Sequence, residues 1–275
     1  MASAGRCRLV RRGVLSAVLG TLACVVVAAP VYAFVSRRTH VSAVPPSAEE
    51  AVTFGSSTAT CPAGQHVLFG GFDGGEAGMR RTADNRWTVY SFTVHVPDAS
   101  ASSTSVASMV YCGYGPVASK VTSTVEIRYR LSKPATGSAT ARCPSGTVVV
   151  AGGFATTPHS VVLVDALSRV APDLWRVSAR LMLGTHTALT SIAYCGPGPA
   201  PKLVSRSIRS LLGGTARATC PAGTTLAFGG GIVEGSSAFD DTSLQTLRAE
   251  TRSRWSVGGY DGGPRGKLTA LAYCR

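Results

Sequence analysis

The side chains able to carry acid–base, metal or nucleophilic chemistry are few and scattered in this chain. The histidines are His40, His66, His95, His159 and His186. None has the spacing of a zinc site, and no nucleophile elbow, His-Glu-x-x-His or phosphate-loop pattern is present. Gly70-Gly71-Phe72-Asp73-Gly74-Gly75-Glu76 joins a glycine-rich turn to two carboxylates, the raw material of a calcium or phosphate loop. Calcium requires denser oxygen ligands than these, and a matching stretch later in the chain reads Ala155-Thr156-Thr157 instead. Turn formation is the better account of Asp73–Glu76, and Asp240-Asp241 reads as a loop turn or helix start. The expectation is no catalytic residue, no cofactor and no metal.

Cysteine chemistry is more orderly. Of 8 cysteines, Cys7 and Cys24 lie in the amino-terminal segment and six fall in the body. Those six frame a pattern written three times. It runs Cys61-Pro-Ala-Gly64, Gly70-Gly71, Trp87, Tyr111-Cys112. It recurs as Cys143-Pro-Ser-Gly146, Gly152-Gly153, Trp175, Tyr194-Cys195, and again as Cys220-Pro-Ala-Gly223, Gly229-Gly230, Trp255, Tyr273-Cys274. The 3 tryptophans of the chain are each used once, at the same place in the pattern. Six cysteines allow fifteen pairings. The repeat selects Cys61–Cys112, Cys143–Cys195 and Cys220–Cys274, at separations of 51, 52 and 54 residues.

The elements that must hold these residues read as strands. Val125-Glu-Ile-Arg-Tyr-Arg-Leu131 and Trp175-Arg-Val-Ser-Ala-Arg-Leu181 alternate apolar with polar residues, the period of a half-buried strand. Pro-x-Gly after each first cysteine fits a tight turn. Gly-Gly at the end of an apolar run fits a bulge or a close backbone approach. Trp87, Trp175 and Trp255 are expected in the core, where an indole buries the most apolar surface a small module can offer. The fold class is all-β: three homologous disulfide-closed modules, forming one pseudo-threefold, prism-like body or else tandem beads. The divisions are residues 34–51 as a linker, 52–116 as repeat one, 117–199 as repeat two and 200–275 as repeat three.

Residues 1–33 read as an address. A basic start is followed by an uncharged apolar run, Gly13–Ala29, and then Pro30 and Val31-Tyr32-Ala33. That order belongs to a secretory signal peptide cleaved after Ala33. An uncleaved signal anchor is the alternative, because Gly13–Val35 would span about 34 Å as a helix. Either way the body is exported, secreted or held outside the cytoplasm by its anchor, and disulfides are its expected redox state.

The net charge of +13 favours anionic partners. The cations are spread out, and even Arg80-Arg81 lacks the aromatic interleaving of a stacking platform, so nucleic acid is not expected. The segments between Gly-Gly and Trp differ most among the copies: Asp73–Asn85, Ala155–Leu174 and Ile232–Arg254. Variable loops on a constant scaffold are where recognition belongs.

The pattern resembles a module of exported proteins from high-GC bacteria, mostly without an assigned function, and the resemblance covers residues 58 to 274. It implies the module and no active residues. The functional expectation is a non-enzymatic extracytoplasmic binding or structural protein. Its partner would be an envelope glycan, an anionic surface polymer or another extracellular protein, with membrane contact through the amino-terminal segment alone. The rival is an envelope- or glycan-acting hydrolase using loop carboxylates.

Overall fold

The computed structural model describes residues 34–44, 52–74, 78–94, 104–129, 135–158, 160–210, 213–235, 243–260 and 266–275. The expected export segment, His95, His159, Glu76 and Asp240-Asp241 lie outside them. All regular structure among the described residues is β-strand.

Each copy contributes six strands. Copy one holds β1 (Ser36–Val44), β2 (Val52–Thr60), β3 (His66–Asp73), β4 (Gly78–Ala83), β5 (Arg86–Val94) and β6 (Thr104–Gly113). Copy two holds β7 (Ser119–Arg128), β8 (Thr136–Arg142), β9 (Val148–Thr156), β10 (Val161–Ala171), β11 (Leu174–Leu183) and β12 (His186–Gly196). Copy three holds β13 (Lys202–Ser210), β14 (Gly214–Thr219), β15 (Leu226–Glu234), β16 (Ser243–Ala249), β17 (Arg254–Tyr260) and β18 (Gly266–Cys274). Residues 34–51, expected as a linker, contain β1, which pairs along its whole length with β6. Its Ser-Arg-Arg-Thr-His sequence hides a strand because most of its side chains are exposed and only Val44 is fully buried, so no apolar alternation marks it.

The strands form three six-stranded sheets, ordered β1-β6-β3-β16-β17-β14, β13-β18-β15-β10-β11-β8 and β2-β5-β4-β9-β12-β7. Each sheet therefore takes the first, sixth and third strands of one copy. To these it adds the fourth, fifth and second strands of the copy before it, with copy three preceding copy one. No copy owns a complete sheet, so tandem beads are excluded and the body is a closed prism. Its three sheets enclose one continuous apolar core.

The repeated residues explain the closure. In each Pro-x-Gly turn the glycine takes a positive φ (77° at Gly64, 79° at Gly146, 80° at Gly223). The disulfides Cys61–Cys112, Cys143–Cys195 and Cys220–Cys274 have Cα separations of 5.7, 5.6 and 5.7 Å. Each joins the end of a second strand to the sixth strand of the same copy, which lies in a different sheet. Closing a loop of this length removes denatured-state entropy equivalent to about 4 kcal/mol.

Gly-Gly faces two ways. A Cβ on Gly70, Gly152 or Gly229 would overlap the indole of Trp87, Trp175 or Trp255 in the same copy. A Cβ on Gly71, Gly153 or Gly230 would press on the carbonyl oxygen of Leu247, Met79 or Leu167, in the fourth strand of the preceding copy. Close approach, not a bulge, is what Gly-Gly permits. The bulges fall earlier, at Leu68, Val150 and Ala227, where the third strand slips against the sixth.

The three indoles are fully buried. Phe69 stacks on Tyr111 with ring centroids 4.4 Å apart, and Phe228 stacks on Tyr273 at 4.3 Å. In copy two the corresponding residue is Ala151, and Trp87 of copy one lies 6.0 Å from Tyr194.

Candidate functional site

The seams between copies are where the three repeats become one body, and where they differ. At each seam two residues of a fourth strand pair with two residues of the next copy's third strand. These are Gly78–Ala155 and Met79–Phe154, Ala166–Ile232 and Leu167–Gly231, and Thr246–Asp73 and Leu247–Phe72. So short a ladder needs reinforcement, and the tyrosine before each second cysteine supplies it. The hydroxyl oxygen of Tyr194 accepts from the Arg81 N–H at 2.7 Å, that of Tyr273 from Arg169 at 2.8 Å, and that of Tyr111 from Ala249 at 2.6 Å. Burial pushes all three phenols up to about 12, which keeps them neutral.

Arginines clamp the same points. The guanidinium of Arg81 lies 4.9 Å from the Tyr194 ring centroid and donates to the carbonyl of Ala118. Arg169 lies 4.6 Å from the Tyr273 centroid and donates to Pro201. At the third seam Ala249 has no such side chain, and Arg37 of β1 donates to its carbonyl at 3.1 Å instead. These repeated residues are locks between copies.

Beyond the locks the seams diverge. Between copies three and one, Thr246 Oγ1 donates to Asp73 Oδ1 at 2.8 Å and Arg248 lies 3.7 Å from the same carboxylate. Between copies two and three, Ile232 stands opposite Ala166, and Asp165 sits at a bulge of β10, 3.1 Å from Arg180. The two side chains are only 23% and 9% exposed. Desolvation outweighs the pull of Arg180 and pushes the Asp165 carboxyl up to about 6.

Between copies one and two the facing residues are Gly78 and Ala155, and a cleft of about 200 Å³ opens. Phe54, Arg80, Tyr90, Thr156, Thr157 and Ser160 are among its lining residues. Arg80 Nη2 donates to the Tyr90 hydroxyl at 3.2 Å, and its guanidinium lies 4.9 Å from the Tyr90 ring centroid. Phe54 and Phe92 stand beside each other on the neighbouring strands, with centroids 6.2 Å apart. Three residues after each tryptophan the copies carry Tyr90, Ser178 and Gly258, so the aromatic wall is particular to this seam. An aromatic face, a guanidinium and several hydroxyls can bind and orient a polar ligand. Among the described lining residues there is no carboxylate.

The residues considered from sequence are dispersed. The six body cysteines are bonded to one another and the three tryptophans lie in the core. His40 contacts the Ser57 hydroxyl at 3.0 Å, and His186 is exposed at the start of β12. His66 is buried near the disulfide of copy one; burial first, and then Arg81, lower its pKa. Asp73 is held by Thr246 and Arg248, and Gly74 takes a φ of 73°, as a turn requires. Among the described residues no group of three or more His, Cys, Asp or Glu side chains is arranged to hold a metal ion.

Two of the variable segments, Asp73–Asn85 and Ala155–Leu174, do reach the cleft, through Arg80 and through Ala155–Pro158 and Ser160. Phe54 and Tyr90 were missed because they sit on scaffold strands. The departure of Tyr90 from its counterparts in the repeat was the available signal. No protein-family model matches the chain, and no curated protein matches it.

Proposed function

We propose that the protein is an exported, non-enzymatic binding module whose cleft between copies one and two takes one unit of an acidic envelope glycan. The observation that carries this reading is the contrast among seams. Three junctions share one backbone and one set of tyrosine locks, yet this one opens into an aromatic, cationic cleft, whereas Thr246 bonds Asp73 at the next and Ile232 faces Ala166 at the third. A cleft of about 200 Å³ matches a single sugar ring better than a protein segment. Tyr90 and Phe54 offer apolar faces for the C–H side of such a ring. Arg80 suits a carboxylate or phosphate, and Thr157 and Ser160 suit sugar hydroxyls.

The three disulfides fit an oxidising compartment outside the cytoplasm. Among the described residues no helix is long and apolar enough to cross a membrane, and the segment that would serve as signal or anchor lies outside them. Glycoside hydrolysis would require two carboxyl groups flanking the bond, and the described residues that line the cleft include no Asp or Glu. A glycan array probed with the exported protein, followed by titration of the best ligand, tests the reading. Tyr90→Ala and Arg80→Gln should each weaken binding tenfold or more, while Ser178→Ala, at the equivalent place in copy two, should not. Undiminished binding by both cleft variants, or cleavage of the ligand, would overturn it.

A further inference from the structure

The strand register divides the prism into two ends. The disulfides mark one of them. There the first strands begin (Ser36 opposite Cys112, Ser119 opposite Cys195, Lys202 opposite Cys274) and the fourth strands finish. The cleft lies toward the other end, where the second strands begin and the third strands finish.

Three independent features collect at the disulfide end. The first is exposed apolar surface. Val35, Tyr114, Val117, Val170 and Leu203 are all exposed in or next to a turn or strand end on this side, while Tyr129, Met182 and Leu183 are exposed toward the other. Val35, for example, donates its N–H to the carbonyl of Cys112 at 2.7 Å. The second is unbalanced positive charge. Arg38, Arg86, Lys120, Lys202 and Arg252 are exposed there, and none takes part in an ion pair among the described residues. Of the acids on this side, Asp173 is matched by Arg142 and Glu250 by Arg217, which leaves Asp84. Toward the opposite end, among the described residues, Glu126 pairs with Arg128 and Glu234 with Lys267, while Arg80 faces the cleft.

The third feature is where the chain enters. The uncharged apolar run Gly13–Ala29 leads with only a few residues between to Phe34. The Phe34 ring sits edge-on to Phe69 and Tyr111, with centroids 5.8 and 5.4 Å away. Retained as an anchor, that run would join the body to a membrane at this end, a few residues from Phe34. Apolar side chains among unpaired cations suit the headgroup layer of an anionic bilayer, where Val and Tyr enter the interface and Arg and Lys meet phosphate.

We infer that the disulfide end of the prism rests on an anionic lipid surface and holds the cleft end outward. The contact uses residues separate from the cleft, so its test does not depend on the ligand. The full chain would be reconstituted in vesicles of phosphatidylcholine and brominated phosphatidylglycerol. A reporter is placed at the disulfide end by Tyr114→Trp, or at the far end by Met182→Trp; the buried native tryptophans give both variants the same background.

Bromine should quench the 114 reporter several-fold more than the 182 reporter. Raising the salt, or adding Arg38→Glu, Lys120→Glu and Arg252→Glu together, should remove most of that difference. Equal quenching at both ends would overturn the inference. So would quenching at 114 that neither salt nor charge reversal changes, since the amino-terminal segment alone would then explain it. The salt titration needs no charge substitution, so the answer survives if the triple variant folds poorly.

Discussion

The seam between copies three and one and the seam between copies one and two are built on the same backbone. In both, a fourth strand meets a third strand over two residue pairs, a second glycine admits the neighbouring carbonyl, and a buried tyrosine ties the strands together. What differs most directly at the opposed strands is one facing pair of side chains. Thr246 and Asp73 meet in a hydrogen bond at one seam, while Gly78 and Ala155 leave a cleft at the other. Repetition serves closure of the ring, and departure from repetition frees one junction for recognition. Features common to all seams should therefore govern stability, and features of one seam should govern binding.

The largest effect expected is loss of a disulfide. Cys220→Ala with Cys274→Ala should cost about 4 kcal/mol in urea unfolding, and the corresponding pairs of copies one and two should cost nearly as much, because the three loops are of similar length. Unequal losses would break the equivalence of the copies. Next come the second glycines. Gly71→Ala and Gly230→Ala should each lower stability by about 3 kcal/mol. Gly153→Ala should cost less, since its Cβ would lie 2.6 Å from the Met79 oxygen, a shallower overlap than at the other two seams. Thermal unfolding of the three variants tests that order.

The tyrosine locks rank third. Tyr194→Phe leaves the Arg81 N–H without its acceptor and should cost about 1–2 kcal/mol, with Tyr273→Phe and Tyr111→Phe alike within error.

A pH effect separates the remaining seam from the other two. Asp165 has a folded pKa of about 6 against an ordinary 3.8. Between those values the folded chain keeps a proton that the unfolded chain releases, so stability falls as pH rises from about 4 to 6 and stays lower above. The loss should be roughly 1–3 kcal/mol, and the difference in stability between the native chain and Asp165→Asn should show this slope across the same window. A difference independent of pH would mean that Arg180 holds the carboxyl ionised.

Much of the scaffold was legible in the sequence because its signals are local. Cysteine pairs at constant separation, Pro-x-Gly turns and period-two strands each lie within one copy, and the structure uses them there. The exchange of strands was not legible, since pairing such as Met79 with Phe154 joins two copies and leaves no mark on either segment alone. The strand Ser36–Val44 was hidden by its arginines and small residues. The cleft was the least visible, because it arises from what Gly78 and Ala155 lack, across a seam that only the folded ring creates. Its aromatic wall was open to detection by aligning the three copies, where Tyr90 stands against Ser178 and Gly258.

The most direct test converts one seam into the other. Gly78→Thr with Ala155→Asp would copy the Thr246–Asp73 pair into the junction of copies one and two; a Cβ at Gly78 meets its nearest neighbours at an ordinary 3.4 Å. Isothermal titration with the glycan selected on the array should show binding lost in this variant, with its unfolding midpoint close to that of the native chain. Undiminished binding by a stable, folded double variant would contradict the assignment of the cleft as the site.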